Sequence, residues 1–177
     1  HRPERRQLTS ANNKVLEPLP TAFENYAQVF EKLGYPIDMS QTYPLMPTAA
    51  SLRQLPAEIG EKKPFQQWIG IAPFAAHRGK AYPIEKMEQV VATLIHNHPS
   101  CRIFLFGGGD KEKQLISGIT ERHANCVNVP SLLNGLTEEL MLMSHLDVMV
   151  SMDSANMHMA SLAGTTVVSV WGATHPY

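Results

Sequence analysis

Cysteine is scarce in this 177-residue chain: Cys101 and Cys126 stand far apart, with no C-x-x-C. That pattern offers neither a disulfide framework nor a redox motif. Both thiols are therefore expected to be reduced and buried in a cytoplasmic protein. Charge of one sign is also lacking, since 15 Lys and Arg face 16 Asp and Glu for a net charge of −1. No global field draws such a chain to nucleic acid or to a membrane surface. No apolar run approaches the ~20 residues of a membrane span. The opening HRPERRQLTSANNK lacks the apolar core of a secretory signal. Two nucleotide fingerprints are missing as well. Neither G-x-G-x-x-G nor G-x-x-x-x-G-K-[ST] occurs, which disfavours a nicotinamide-dependent oxidoreductase and a P-loop enzyme. His96, His98, His123 and His145 have no spacing that suits a metal.

What is present begins with a polar, basic segment over residues 1–20, with Arg2, Arg5, Arg6 and Lys14. Short charge runs of this kind are usually solvated, so an exposed boundary segment is the simpler reading; a basic arm for an anionic acceptor or lipid headgroup is the other. Thr21 followed by Glu24 forms a capping box for a helix carrying Phe23, Tyr26, Ala27, Phe30 and Leu33, which Gly34 ends. Residues 35–64 hold Pro36, Pro44, Pro47, Pro56 and Pro64 with little periodicity. They read as an interdomain connector or as a strap along one domain.

From Gln67 the pattern changes. WIGIAP reads as a buried strand, Ile84 to His96 as a helix with Pro83 in its first turn, and RIFLFG as a second strand. Gly107-Gly108-Gly109-Asp110 opens a helix from about Lys111 to Arg122, and Cys126 to Val129 is a short strand. After a Pro130-Ser131 turn, a helix runs from Thr137 to His145, with Glu138 and Glu139 suited to the dipole at its start. A strand at Val148–Val150, a polar break over Ser151–Asn156, a helix from Met157 to Ala163 and a strand from Thr165 to Trp171 complete the chain. The order βαβαβαβαβ argues for a parallel sheet covered on both faces.

Such a sheet gathers the loops after its strands at one edge. Phe74–Tyr82 brings His77, Arg78 and Lys80; Gly107–Asp110 brings bare backbone and a carboxylate. Ser151–His158 brings Asp153, Ser154, Asn156, His158 and a helix start. Cations with helix N–H groups suit a diphosphate, and a carboxylate beside a glycine turn suits sugar hydroxyls. Together they suggest a nucleotide-sugar site. Each residue also has a plainer reading. Lys80 could be a solvated loop lysine, Asp110 and Asp153 or Ser154 helix caps, and His158 a core histidine. Met141, Met143, Met149, Met152, Met157 and Met159 read as core filler rather than a cofactor box.

IGIAPFAAHRGKAYPIEKM, FLFGGGDKEKQL and VSMDSANMHMASLAGTTVVSVWGATHP resemble the phosphate loop, the glycine turn and the D-(S/T)-G-x-x-H segment of the glycosyltransferases of family nine, the lipopolysaccharide heptosyltransferases. The likeness runs from about Gln67 to Tyr177 and is to that family's C-terminal, donor-binding domain. It implies an α/β fold, a Rossmann-like parallel sheet with helices on both faces, forming one half of a GT-B glycosyltransferase. Residues 1–63 would then be the end of an N-terminal domain with the interdomain linker, and 64–177 the nucleotide-sugar domain. The chain does not begin with Met and stops after a polar turn, so a fragment is expected.

The resemblance further implies an ADP-heptose donor, a lipid-linked saccharide acceptor, no additional cofactor or metal, and no nucleic-acid partner. The implied location is cytoplasmic, or peripheral at the inner face of the inner membrane. The implied roles are Lys80 on the diphosphate, Asp110 on the ribose, Asp153 on the donor sugar, and the amides of Ser154, Ala155 and Asn156 on the phosphates with His158 beside them. The catalytic base would belong to the missing N-terminal domain. The family commonly has glycine where this chain has Ala155. If glycine serves close backbone approach, alanine just fits; if it serves positive φ, alanine is strained. Other GT-B nucleotide-sugar enzymes, among them UDP-sugar transferases and epimerases, and a non-catalytic nucleotide-binding module remain alternatives at this stage.

Overall fold

WIGIA is apolar without interruption, and it becomes a strand buried on both faces, β1 (Trp68–Ala72). A computed structural model describes residues 20–40 and 52–172, which fall in two compact units. The basic residues Arg2, Arg5, Arg6 and Lys14 and residues 173–177 lie outside the described residues.

In the first unit, α1 (Ala22–Lys32) starts at the expected capping box: the Thr21 side chain accepts the Glu24 N–H, and the Glu24 carboxylate accepts the Thr21 N–H. Phe23, Tyr26 and Leu33 on this helix are exposed.

The second unit continues from β1 through α2 (Ile84–Asn97), β2 (Arg102–Leu105), α3 (Gly109–Arg122), β3 (Cys126–Asn128) and the one-turn α4 (Val129–Leu132). It ends with α5 (Leu136–Met143), β4 (Val148–Met152), α6 (Ala155–Leu162) and β5 (Val167–Val170). The five strands are parallel in the order β3-β2-β1-β4-β5. The chain thus works outward from β1 to β3, returns to the other side of β1, and pairs Ile69 with Val148.

Alternation along the strands divides the core. Ile69, Ile71, Ile103 and Leu105 face α2 and α3 through Met87, Val91, Ile116 and Ile119. Trp68, Phe104 and Met149 face the other side, against Leu142, Met143 and Ala160. Met141, Met143, Met149 and Met152 are buried, as the core reading of the methionines expects. Residues 52–60 act as a strap: Leu55 and Ile59 are buried in the same core as Trp68. Arg102 holds that strap, its guanidinium donating to the carbonyls of Ile59 and Glu58 while lying over the Trp68 and Phe104 rings.

Several boundaries differ from expectation for local reasons. Pro83 is the N-cap of α2 rather than a first-turn residue. Pro130 sits in the first turn of α4, where its missing N–H costs nothing, so the expected turn is one turn of helix. α3 begins at Gly109, whose φ of 72° only glycine adopts freely; Gly108 is the N-cap, and Asp110 is therefore not the cap. Cys101 is buried and Cys126 half-buried, and burial pushes the Cys126 thiol up to about 12. Among the described residues no helix is long and apolar enough to cross a membrane.

Burial also raises the Glu139 carboxyl above its ordinary value. Its charged form is thus disfavoured on folding, and the stability present below the ordinary glutamate range is lost as pH rises from there through the raised folded value. Glu139→Gln should raise neutral-pH stability by about 0.5 kcal/mol, the scale of a partly exposed position. The gain should vanish below about pH 4, where glutamate is protonated in either state. Melting temperatures of both proteins across pH check this.

Candidate functional site

The return of the chain from β3 to β4 splits the loops at the carboxyl edge of the sheet. Loops after β1 and β2 run one way and the loop after β4 the other, which leaves a crevice at the switch point. That crevice is an open cleft of about 510 Å³, within the usual size of a small-molecule site.

One wall is the loop after β1. Phe74, Ala75, Ala76 and His77 lead into a 3₁₀ turn, Arg78–Lys80, in which the Lys80 N–H donates to the His77 carbonyl at 2.9 Å. The turn brings Lys80 to the cleft, and its Nζ meets Asp153 Oδ2 at 2.5 Å. The two side chains are 28% and 13% exposed. Partial shielding makes this pair stronger than an ordinary surface salt bridge. Lys80 is therefore not a solvated loop lysine.

The floor is the end of β4 with the start of α6. Ser151 is fully buried; its hydroxyl donates to the Met152 carbonyl at 2.9 Å and lies 3.3 Å from Ser154 Oγ. Ser154 has the extended backbone of an N-cap, yet its side chain makes no cap bond. Ala155 and Asn156 are the first residues of the helix, two positions earlier than the sequence pattern suggests. Among the described residues no acceptor takes their backbone N–H groups, so both remain available to a ligand. Phe65 is the non-glycine residue with positive φ among those described. Ala155 is thus in ordinary helical conformation and free of the strain that a left-handed position would impose. His158 lines the cleft and is exposed, so it is not a core histidine.

The third wall comes from the glycine turn, through Gly108 and Glu112. Sequence reasoning missed Glu112. The signal was present, because a glutamate four residues past Gly108 can reach back over the first turn, and Glu112 Oε2 accepts the Gly108 N–H at 2.7 Å. The structure thus brings Lys80, Asp153, Ser154, Ala155, Asn156 and His158 together. It sets Asp110 apart, on an adjoining open groove along α3 with Lys113, Gln114 and Ser117.

Gly172, just past β5, was also missed. A Cβ there would collide with the Gly79 carbonyl and crowd Lys80 Cα. The backbone at the end of β5 therefore rests on the turn that carries Lys80. Among the described residues no group of three or more His, Cys, Asp or Glu is placed to hold a metal ion.

The profile of Glycosyltransferase family 9 (heptosyltransferase) matches residues 2–177. The chain belongs to this family. No curated protein matches it. Among solved structures it is similar to E. coli heptosyltransferase WaaC with ADP-2-deoxy-2-fluoro heptose, at 20% identity and a TM-score of 0.68, over 93% of this chain and 49% of that one. It is similar also to a glycosyl transferase of family 9 from Veillonella parvula DSM 2008, at 17% identity and TM-score 0.66, over 90% and 47% of the two chains. E. coli ADP-heptose lps heptosyltransferase II matches at 22% identity and TM-score 0.57, over 68% and 37%. The chain therefore spans about half the length of WaaC and the Veillonella relative. These likenesses establish the fold, a Rossmann-like α/β sheet as in GT-B heptosyltransferases.

Proposed function

We propose that this chain is the donor-binding half of an inverting glycosyltransferase that moves heptose from an ADP-activated donor to a lipid-linked saccharide of the lipopolysaccharide core. The observation that carries the reading is the Lys80–Asp153 pair at the open start of α6, inside a cleft at the switch point of the sheet. Family membership supports the reaction class, and the ADP-sugar analogue named with WaaC supports the donor class.

In such a transfer the anomeric carbon gains positive charge while the leaving diphosphate gains negative charge. On this reading Lys80 and the N–H groups of Ala155 and Asn156, which share the cleft, stabilise that leaving charge and no metal is called for. One such donor is worth about 3 kcal/mol of barrier. On the same reading Asp153, once its lysine turns to phosphate, accepts hydroxyls of the sugar, and the exposed His158, which lines the same cleft, serves the phosphates. Inversion requires a base on the opposite face of the sugar to take the acceptor's proton. We assign that base to an N-terminal domain outside this chain, so that the chain binds donor without transferring sugar by itself. Its place is the cytoplasmic side, at the surface of the membrane that carries the acceptor.

Calorimetric titration of the chain with ADP, UDP and NAD tests the reading. ADP should bind, UDP more weakly, and NAD not at all. Failure to bind either diphosphate would sink it, and a preference for UDP would redirect it to a UDP-sugar enzyme.

A further inference from the structure

Ser154 opens α6, yet its hydroxyl does not cap the helix. An N-cap serine or threonine ordinarily accepts an N–H from the second or third residue of its helix. Thr21 does so at the start of α1, where it takes the Glu24 N–H at 3.2 Å. In α6 the third residue, Met157, already donates its N–H to the Ser154 carbonyl at 3.2 Å. The N–H left for a cap is that of Asn156, the second residue, and no acceptor among the described residues takes it. Ser154 Oγ lies instead 3.3 Å from Ser151 Oγ in the end of β4. Ser151 is wholly buried, in register with Ala72 of β1 on one side and Ser169 of β5 on the other. Its hydroxyl donates to the Met152 carbonyl at 2.9 Å. A hydroxyl has a single proton, so Ser154 is the donor in the contact between the two serines.

Resting on the reading of the cleft as a nucleoside-diphosphate site, we infer that Ser151 is a positioning residue. It draws the Ser154 hydroxyl off the helix and so keeps the Asn156 N–H open for the anion. Ser151 does not line the cleft; it acts through Ser154. The arrangement has a cost, because a serine cap stabilises a helix start. Here that stabilisation is given up to leave a backbone donor unspent where a helix attracts an anion. Removing the Ser151 hydroxyl releases Ser154 to cap α6. In Ser151→Ala without ligand, the Asn156 N–H should exchange with solvent about fivefold more slowly, the scale of one serine cap. ADP affinity should fall by about the same factor, since the ligand now competes with the cap. Both changes should vanish in a chain that also carries Ser154→Ala, because no hydroxyl is left to cap. A serine that merely supports the end of β4 would show no such dependence on its neighbour.

The test reads Asn156 amide exchange by NMR and titrates ADP calorimetrically, with melting temperatures alongside. It uses the unaltered chain, Ser151→Ala, Ser154→Ala and the double variant. Slower exchange and weaker ADP binding in Ser151→Ala, both absent when Ser154→Ala is the background, is the expected result. An Asn156 exchange rate or an ADP affinity unmoved by Ser151→Ala would overturn the inference. So would a loss of equal size with and without the Ser154 hydroxyl, which would leave Ser151 a structural residue of β4. If Ser151→Ala melts early, Ser151→Cys takes its place in the same cycle: the thiol fills the site, but sulfur is a weak hydrogen-bond acceptor. Failure of the unaltered chain to bind ADP is a different result, and it defeats the site reading itself together with this inference.

Discussion

Lys80→Ala is expected to weaken ADP binding about 100-fold, which corresponds to the upper range of a hydrogen bond to a charged group. Lys80 is the cleft's lysine; its Nζ is held 2.5 Å from Asp153 Oδ2. That pairing fixes the ammonium near the start of α6 before a ligand arrives, so little side-chain entropy is lost on binding. It also means that the diphosphate must share the lysine with a carboxylate. Asp153→Asn should therefore act in the opposite sense on bare ADP, with affinity rising a few-fold, about the value of one weakened competing ion pair. The same variant should lose affinity for the ADP-sugar relative to ADP, because the carboxylate proposed for the sugar is gone. Calorimetry with ADP and with an ADP-sugar reads both. A Lys80→Ala chain that melts normally and binds ADP undiminished would remove Lys80 from the site.

Gly172→Ala is expected to damage the same site without changing any side chain that lines the cleft. The new Cβ would collide with the Gly79 carbonyl and crowd Lys80 Cα. Both obstacles are backbone, so neither can rotate away. Overpacking of this kind typically costs about 1–3 kcal/mol, and it is relieved most directly by displacing the Arg78–Lys80 turn. Proximity effects make a small misplacement of a charged group expensive. ADP affinity should therefore fall by about 10-fold or more, on the scale of that strain, with a modest drop in melting temperature. In a double mutant with Lys80→Ala the two losses should not add, since Gly172→Ala acts through the position of Lys80. Full additivity would show that the Gly172 contact serves some other purpose.

Where periodicity and burial carry the signal, the sequence was easy to read. WIGIA and RIFL are continuous apolar runs and become β1 and β2; Ile84 onward has a clear apolar face and becomes α2. That the sheet is parallel follows from their alternation with helices; its strand order does not. Lys80, Asp153 and the start of α6 were legible because they lie in loops that one sheet edge must gather. Asp110 lines a neighbouring groove instead of the cleft, a placement the sequence does not reveal because a glycine turn has no side chain to show its path. With Gly108 as N-cap and Gly109 at positive φ, the first turn of α3 presents Glu112 inward and Asp110 to the neighbouring groove. Gly172 was invisible for a different reason: its partner is a backbone atom of a distant loop, and no residue type announces that contact. The strap was half legible. Its prolines marked an extended segment, but only the burial of Leu55 and Ile59 and the grip of Arg102 show what it lies against.

The position of β1 has a consequence for how the chain is made. Among the described residues β1 is the earliest strand and also the central one, and its second neighbour, paired Ile69 to Val148, is synthesised long after its first, paired Ile69 to Ile103. During synthesis β1, β2 and β3 can assemble with α2 and α3 while one edge of β1 stays unpaired. That edge belongs to the strand that is buried at every position, and open apolar edges are templates for aggregation. Non-local pairing of this kind is also slow to form. The docking of β4 is thus the step that covers the second edge of β1. Because Asp153 directly follows that strand, the event that covers the edge of β1 also completes the floor of the cleft.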